Sequence, residues 1–295
     1  MPSISALDEG TGRKFFLDDP DDLKPGEPVT FLLSLHGGGS SGQWQHAYFP
    51  AHDYKERYRL VIATPSAATK EPSRRWVAEA DDEHLMNIVN HVFAKYGAAN
   101  IRAFWLVGHS QGGMTSNRLL QDDFFKQRVD GWLSLSGGRI GPIELPEAFF
   151  RGRQRPAMPP GTPRPGQALA PDLDMSFIFA VGEHEMVALP EASPWAEKYG
   201  AGPKQRLADV VDTEPGQIYD RMSEGKSNAS WGLVARPGTA RVYVYPNARD
   251  GRVIADVVRL DKGHTEGLEP NITRTLIEML VSAPGGKAQR LLARA

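Results

Sequence analysis

The chain has 295 residues, of which 40% are hydrophobic and 24% charged, and its formal net charge is −2. This length is enough for one large domain with a sizeable core, and the nearly balanced charge excludes a global field that gathers nucleic acid or an anionic membrane surface. The sequence contains no cysteine, which excludes disulfides, thiolate catalysis and cysteine-based metal sites.

The N-terminal region has neither a basic start nor an apolar core, so it does not resemble a signal peptide. We therefore expect a cytoplasmic protein, or a secreted or periplasmic one if the chain is a mature form. No apolar run approaches the roughly 20 residues that a membrane-spanning helix requires, so no membrane association is expected. The first strand is predicted at residues 13–17, and the acidic turn at 18–22 is expected to be solvated.

A continuous apolar run at residues 29–35 is typical of a central strand buried on both faces, and the sequence HGGG follows at 36–39. Such a glycine loop lets a backbone N–H approach a substrate oxygen to about 3 Å, as in the oxyanion hole of esterases. The glycines of this region also satisfy G-x-G-x-x-G, which is typical of a dinucleotide site. That alternative is disfavoured because the next strand, at 60–65, does not end in an acidic residue.

A long amphipathic helix is predicted at residues 81–96, where apolar side chains repeat at helical spacing and acids occupy the first turn. This helix is expected to end at Gly97 and to pack against the sheet. His84 and His91 lie on it, and we expect both to be exposed or at the edge of the core.

The segment at residues 105–113 has the sequence WLVGHSQGG, in which an apolar strand runs into a Gly-x-Ser-x-Gly turn. A strand is predicted at 101–107 and a helix at 114–121, so the turn has the strand-to-helix setting of a nucleophile elbow. Such a turn exposes the hydroxyl of Ser110 beyond the sheet. The N–H of Gln111 lies in the first helical turn, where unpaired donors and the helix dipole favour an anion.

Two insertions interrupt the C-terminal half. Proline and glycine crowd residues 139–172, which excludes a helix or a central strand and indicates a surface insertion. A second, polar insertion with helical patches is predicted at 190–237 and is a candidate lid. The other predicted elements are strands at 129–135 and 175–181, a hairpin of strands 241–245 and 253–260, a helix at 272–281 and a C-terminal tail of little structure at 283–295.

An activated serine needs a base, and the base needs a carboxylate that orients it. In the fold that carries this elbow the chain order is serine, acid, histidine, and only His184 and His264 follow Ser110. His264 is the predicted base because it lies in a Gly-His-Thr turn between a late strand and the last helix. Glu185 is the predicted acid, three residues past the glycine that ends a strand, and Glu183 is the alternative. No metal is expected, because the spacing of histidine and glutamate is not that of zinc hydrolases.

Several of these motifs together carry a family resemblance: HGGG at 36–39 with Trp44 downstream, Arg75-Trp76 with acids at 81–82, GHSQGG at 108–113 and Gly263-His264. They resemble the polyhydroxybutyrate depolymerase and feruloyl esterase branch of the α/β-hydrolase superfamily, over about residues 31–281. We therefore expect a single α/β-hydrolase domain over 1–295, with a mostly parallel central sheet flanked by helices and both insertions at the catalytic edge.

The same resemblance implies hydrolysis of an ester through an acyl-enzyme, with Ser110, Glu185 and His264 as triad and the N–H groups of Gly38 and Gln111 as oxyanion donors. No cofactor is implied, and the substrate is a small-molecule or polymeric ester such as a polyhydroxyalkanoate or a feruloyl ester. Substrate-binding candidates are His36, Trp44, Trp76 and His109, although the two tryptophans are equally typical of loop anchors. No nucleic acid is expected as a partner, and the sequence does not define the oligomeric state.

Two alternatives stay open at this point. Some members of the wider group cleave amide polymers such as poly(aspartic acid), which would require a basic cleft drawn from Arg74, Arg75, Arg139, Arg151 and Arg153. A hydrolase fold that binds without catalysis is the other alternative. Many relatives have aspartate where Glu185 stands, together with disulfides and a leader, and the lack of the last two disfavours action on an extracellular insoluble polymer.

Overall fold

The computed structural model describes residues 4–70, 73–138, 173–185, 189, 191–218 and 235–293. The predicted insertion at 139–172 lies outside these residues. The strands within them are β1 (Ile4–Asp8), β2 (Arg13–Asp18), β3 (Val29–Leu35), β4 (Leu60–Pro65), β5 (Ile101–His109), β6 (Gly131–Leu135), β7 (Ser176–Gly182), β8 (Gln205–Arg206), β9 (Val210–Val211), β10 (Thr239–Val244) and β11 (Ile254–Arg259). The helices are α1 (Gly42–Tyr48), α2 (Lys55–Tyr58), α3 (Ala78–Tyr96), α4 (Gln111–Leu119), α5 (Asp123–Lys126), α6 (Pro194–Lys198), α7 (Pro270–Ser282) and α8 (Lys287–Leu292).

The described strands form one sheet in the order β1-β2-β4-β3-β5-β6-β7-β11-β10-β8, with β9 also paired to β10. The run from β4 to β11 is parallel throughout, and the strands outside it pair antiparallel. The predicted hairpin is confirmed as the antiparallel pair β10 and β11. The mostly parallel sheet expected from the sequence is therefore present.

The central strands are apolar along their whole length because both faces of the sheet are covered. Every residue of β3 is buried, as the continuous apolar run at 29–35 predicted. Phe31 and Leu33 point into a core shared with α3 and α8, whereas Leu32 points into the core shared with α1 and α7. The same alternation in β5 fixes the register of the strand that leads to Ser110, because a shift by one residue would exchange the two faces.

The pairing of β7 with β11 determines where the C-terminal candidate residues lie. These strands run parallel, with Phe177 opposite Ile254 at the start of the pairing and Gly182 opposite Arg259 at its end. Because parallel strands end at the same edge of the sheet, the segments that follow them emerge side by side. The ends of β3 and β5 reach this edge too, which brings four separate loops together.

The N-terminal region differs from the prediction. A strand, β1, precedes the predicted one and pairs with it in register from Ile4 opposite Leu17. Its last residue, Asp8, is buried and accepts a hydrogen bond at 2.7 Å from the Nδ1 of His84. The expectation that His84 is exposed or at the core edge was wrong, because this carboxylate gives the fully buried ring a partner. Asp18 of the acidic turn is also buried rather than solvated, and its carboxylate contacts the Nε2 of His46 at 3.0 Å.

The C-terminal tail is a second correction. Residues 287–292 form α8 instead of an unstructured tail, and Ala288 is fully buried in the core. The backbone N–H of Lys287 donates to the carboxylate of Asp130 at 3.1 Å, and the Gln289 amide donates to the Ile101 carbonyl at 2.7 Å. These contacts attach the helix to the starts of β5 and β6, at the edge of the sheet opposite Ser110, and no local sequence pattern encodes them.

The described part of the second insertion, residues 191–218 and 235–237, contains α6 and the short strands β8 and β9. Both strands pair with β10, so this part extends the sheet, where only helical patches were predicted. The portion at 219–234 lies outside the described residues. Across the described ranges, no helix is both long and apolar enough to cross a membrane.

Candidate active site

Ser110 lies on a strained turn between β5 and α4. Its φ of 51° and ψ of −117° are unusual for a residue with a side chain, and such strain is typical of a nucleophile elbow. A Cβ on Gly108 would overlap the backbone of Gly112, and a Cβ on Gly112 would overlap the carbonyl of Leu35. The two glycines of the Gly-x-Ser-x-Gly sequence are therefore required by close backbone contact.

His264 lies in the loop between β11 and α7, which we call the base loop (residues 260–269). Its Nε2 is 2.8 Å from the Oγ of Ser110, and its Nδ1 is 2.8 Å from the Oε2 of Glu185. Both distances are those of good hydrogen bonds. The structure therefore brings together the three residues that the sequence analysis selected, in the chain order serine, acid, histidine.

The alternative acid, Glu183, points elsewhere. Its Oε2 accepts a hydrogen bond at 2.9 Å from the backbone N–H of Asp261, and so it ties the end of β7 to the base loop. His184 also contacts Asp261, with 2.8 Å between its Nε2 and the Oδ1. Only Glu185 of this segment touches the ring of His264, and its side chain is almost completely buried.

The glycine loop after β3 passes directly beside the elbow. Gly38 and Gly39 are exposed, and a Cβ on Gly38 would lie 3.4 Å from the side-chain oxygen of Gln111. Gln111 opens α4, where its own N–H has no intrahelical acceptor. The N–H groups of Gly38 and Gln111 thus belong to the two backbone segments that flank Ser110, as an oxyanion hole requires.

The loop is held from behind by His36 and Trp76. The Nε2 of His36 accepts the N–H of Ala67 at 3.0 Å, and its Nδ1 donates to the Gly37 carbonyl at 2.7 Å. The indole N–H of Trp76 donates to the His36 carbonyl at 2.8 Å. Burial lowers the pKa of His36 to about 4, so the ring is neutral at ordinary pH.

These contacts correct part of the substrate-binding prediction. His36 has no exposed surface and Trp76 only 6%, so both anchor the loop and leave no face for a substrate. His109 is buried as well, at 3% exposure. Trp44 is only half-buried, stacks on Tyr48 at 4.7 Å and stays a candidate for substrate contact.

Of the five arginines named for a basic cleft, Arg74 and Arg75 lie within the described residues. The Arg74 guanidinium donates to the Ala67 carbonyl at 2.6 Å and so helps to anchor its own loop. Arg75 is exposed. Arg139, Arg151 and Arg153 lie outside the described residues.

Buried charges within the base loop and directly before it were not anticipated from the sequence. Glu269 pairs with Arg259 at 3.0 Å and with Lys262 at 2.9 Å, and all three side chains are almost fully buried. Burial alone would raise the pKa of Glu269, but the two cations lower it below its ordinary value. Glu266 accepts the N–H of Gly263 at 2.7 Å, directly before His264. The alternation of charged residues around His264 in the sequence is the signal that could have indicated this network.

No protein-family model and no curated protein sequence matches the chain. Among solved structures, an acetyl xylan esterase from Aspergillus awamori matches with a TM-score of 0.57 and 13% identity, over 96% of this chain and all of that one. FphF, a fluorophosphonate-binding serine hydrolase from Staphylococcus aureus, matches with a TM-score of 0.41 and 14% identity, over 62% of this chain and 79% of the other. Esterase 2 of Thermogutta terrifontis matches with a TM-score of 0.41 and 18% identity, over 62% of this chain and 72% of the other. The last two scores are too low to carry an argument, and the first shows the fold alone: the chain has the α/β-hydrolase fold.

Proposed function

We propose that this protein is a serine hydrolase that cleaves carboxylic esters through an acyl-enzyme. The observation that carries the proposal is the pair of 2.8 Å contacts that joins His264 to Ser110 on one side and to Glu185 on the other. A strained serine at an elbow, a histidine within hydrogen-bond reach and a buried carboxylate behind it form the arrangement that activates a serine hydroxyl.

In acylation, the Oγ of Ser110 attacks the ester carbonyl carbon while the Nε2 of His264 takes the hydroxyl proton. The carbonyl oxygen becomes an oxyanion, which the N–H groups of Gly38 and Gln111 stabilise. The tetrahedral intermediate then breaks its bond to the alkoxy group, which leaves with the proton from His264. Ser110 keeps the acyl group.

In deacylation, water replaces the alcohol. His264 takes a proton from the water as its oxygen attacks the acyl carbon, and it returns that proton to the Oγ of Ser110 when the acid leaves. Glu185 accepts the Nδ1–H of His264 in both halves, which holds the ring in the productive tautomer and stabilises the imidazolium. The residues of the chain are therefore sufficient for both steps.

The described residues support hydrolysis of carboxylic esters in general and do not select one kind of ester. Trp44 is the aromatic candidate beside the site, but residues 139–172 and 219–234 lie outside the described chain. The substrates to be assayed are therefore polyhydroxyalkanoates, feruloyl esters and short acyl esters, with poly(aspartate) as the amide substrate. Turnover of poly(aspartate) but of no ester would replace the ester proposal with the amide alternative.

The test is covalent labelling by a fluorophosphonate, read by mass spectrometry of the labelled peptide. We expect the label on Ser110 in the wild-type protein and none in Ser110→Ala. The matched control is Ser136→Ala, because Ser136 also has a positive φ of 51° and follows the neighbouring strand; this variant should still label at Ser110. A folded wild-type protein that neither labels nor turns over an ester would instead favour a binding protein without catalysis.

A further inference from the structure

His109 occupies the space between the elbow and the base loop, and the mechanism above does not use it. Its ring lies 4.8 Å from that of His264 and 4.2 Å from that of Tyr48, measured between ring centroids. Its Nε2 is 2.8 Å from the backbone carbonyl oxygen of His264. A carbonyl oxygen can only accept, so the proton of this hydrogen bond belongs to the Nε2 of His109.

We propose that His109 is a positioning residue. Its Nε2–H donates to the backbone carbonyl of His264 and thereby keeps the Nε2 of the His264 ring within hydrogen-bond distance of the Oγ of Ser110. The inference rests on the proposed function. His264 lies in a loop, so its ring is only as well placed as its own backbone. Since His109 is the last residue of β5 and directly precedes Ser110, this hydrogen bond links the backbone of the base to the strand that carries the nucleophile.

The surroundings of His109 allow one protonation state. Burial lowers its pKa well below the ordinary value, and the nearby His264 lowers it further. The neutral ring has a single N–H, which the His264 carbonyl accepts. Its Nδ1 is buried and has no hydrogen-bond partner among the described residues, so a second proton there would be unsatisfied. The other titratable groups near the ring are His36, Arg259 and Tyr48.

Gly37 explains why the ring cannot move away. A Cβ at Gly37 would lie 2.7 Å from the Nδ1 of His109 and 3.2 Å from the Cβ of Ser110. The ring is therefore held between the glycine loop on one side and Tyr48 on the other. A fixed donor of this kind is pre-organised, so no ordering is needed when the transition state forms.

Two nearly isosteric variants separate the hydrogen bond from the packing. Glutamine in His109→Gln can donate from an amide nitrogen at about the reach of the imidazole Nε2, whereas methionine in His109→Met fills similar space without a donor. We expect His109→Met to lower kcat on the order of 10- to 100-fold with little change in KM, since misplacement of a catalytic group by about 1 Å has effects of this size. His109→Gln should recover most of that loss.

The control is the same pair of substitutions at His91, a half-buried histidine of α3 whose ring packs on Phe15 at 5.8 Å. Both His91 variants should keep the wild-type kcat. If His109→Met is as fast as wild type, or if His109→Gln is as slow as His109→Met, the donor has no positioning role and the inference is overturned. A wild-type protein that fluorophosphonate does not label would instead overturn the proposed function.

A measurement on the wild-type protein keeps the inference falsifiable if the variants do not fold. Long-range proton–nitrogen spectra of the histidine rings should show His109 neutral, with the proton on Nε2, throughout the range of about pH 5 to 8 in which ordinary histidines titrate. A ring that is charged in this range, or that carries its proton on Nδ1, would contradict the proposed hydrogen bond.

Discussion

The elbow and the base loop are both fixed in position, but by different kinds of interaction. Around Ser110 the restraint is steric, because Gly108 and Gly112 lie against backbone atoms with no space for a methyl group. Around His264 the restraint is electrostatic, because Glu269 is buried between Arg259 and Lys262. A steric restraint fails when an atom is added, whereas a buried charge network fails when one charge is removed.

The difference follows from where each segment lies along the chain. The elbow joins a strand directly to a helix, and close backbone contacts of its glycines with one another and with the end of β3 determine its shape. The base loop joins β11 to α7 without such a direct strand-to-helix turn. Its backbone is held by side chains that surround it, including the Glu266 carboxylate on the N–H of Gly263 and the Glu183 carboxylate on the N–H of Asp261.

The steric restraint should be broken by a single methyl group. Gly112→Ala places a Cβ onto the carbonyl of Leu35, so we expect the free energy of unfolding to fall by more than about 5 kcal/mol, or the protein not to fold. Urea unfolding measures the effect. In the control, Gly12→Ala, nothing lies within 4 Å of the added Cβ, and only a backbone penalty of roughly 1–2 kcal/mol is expected for its positive φ. Equal losses in the two variants would contradict the steric account.

The electrostatic restraint should be broken by removing one charge. Lys262→Met leaves the buried Glu269 with Arg259 alone, and we expect a loss of about 3–5 kcal/mol in the free energy of unfolding together with a lower kcat. Glu269→Gln, which leaves Arg259 and Lys262 buried without the carboxylate that they share, should lose at least as much. The control is Lys95→Met, whose ion pair with Asp19 is exposed at 42% and 21% and should contribute less than about 1 kcal/mol. If Lys262→Met and Lys95→Met are equally stable, the network does not support the loop.

Lowering the pH should weaken the elbow region in particular, because His36, which anchors the glycine loop beside the elbow, is titratable. Its pKa is lowered from 6.5 to about 4, so between these values the unfolded chain binds the proton and the folded protein does not. The stability linked to His36 is therefore complete above pH 6.5 and is lost as the pH falls towards 4, by about 3 kcal/mol in all. His36→Gln should show a flatter dependence of unfolding free energy on pH in this window, and parallel curves would contradict the assignment.

The smallest expected effect concerns the contact between Gly37 and His109, where the elbow and the base loop meet. Gly37→Ala directs a Cβ at the ring of His109, and we expect kcat/KM to fall on the order of 10-fold because the ring shifts. In a His109→Ser background the same substitution meets more space and should cost less. A double-mutant cycle measures this coupling. Additive effects would show that the glycine loop and His109 do not act on one another.

Local patterns in the sequence predict the elbow, the central strands and the spacing of Glu185 well. The apolar run at 29–35 coincides with β3, and the Gly-x-Ser-x-Gly turn joins β5 to α4 as expected. Glu185 was preferred over Glu183 on spacing alone, and it is the one that contacts His264. These features depend on residues within one strand and its following turn.

The missed features depend on partners that are distant in the chain. Asp8 and His84, which fix β1, are separated by 76 residues, and the contact of Lys287 with Asp130 that fixes α8 spans 157 residues. Neither residue of such a pair carries a local signal that it is buried. His36 and His109 were assigned to substrate for a related reason, since a histidine beside a catalytic motif looks the same in sequence whether it faces the cleft or the core.

The parallel register of β7 and β11 has a consequence for engineering. Acid and base project from adjacent strand ends whose offset is set by ladder hydrogen bonds, so the separation of the two groups does not depend on the length of the chain between the strands. Insertions into the chain between β7 and β11, made outside α6, β8 and β9, should therefore leave the proton-transfer geometry unchanged.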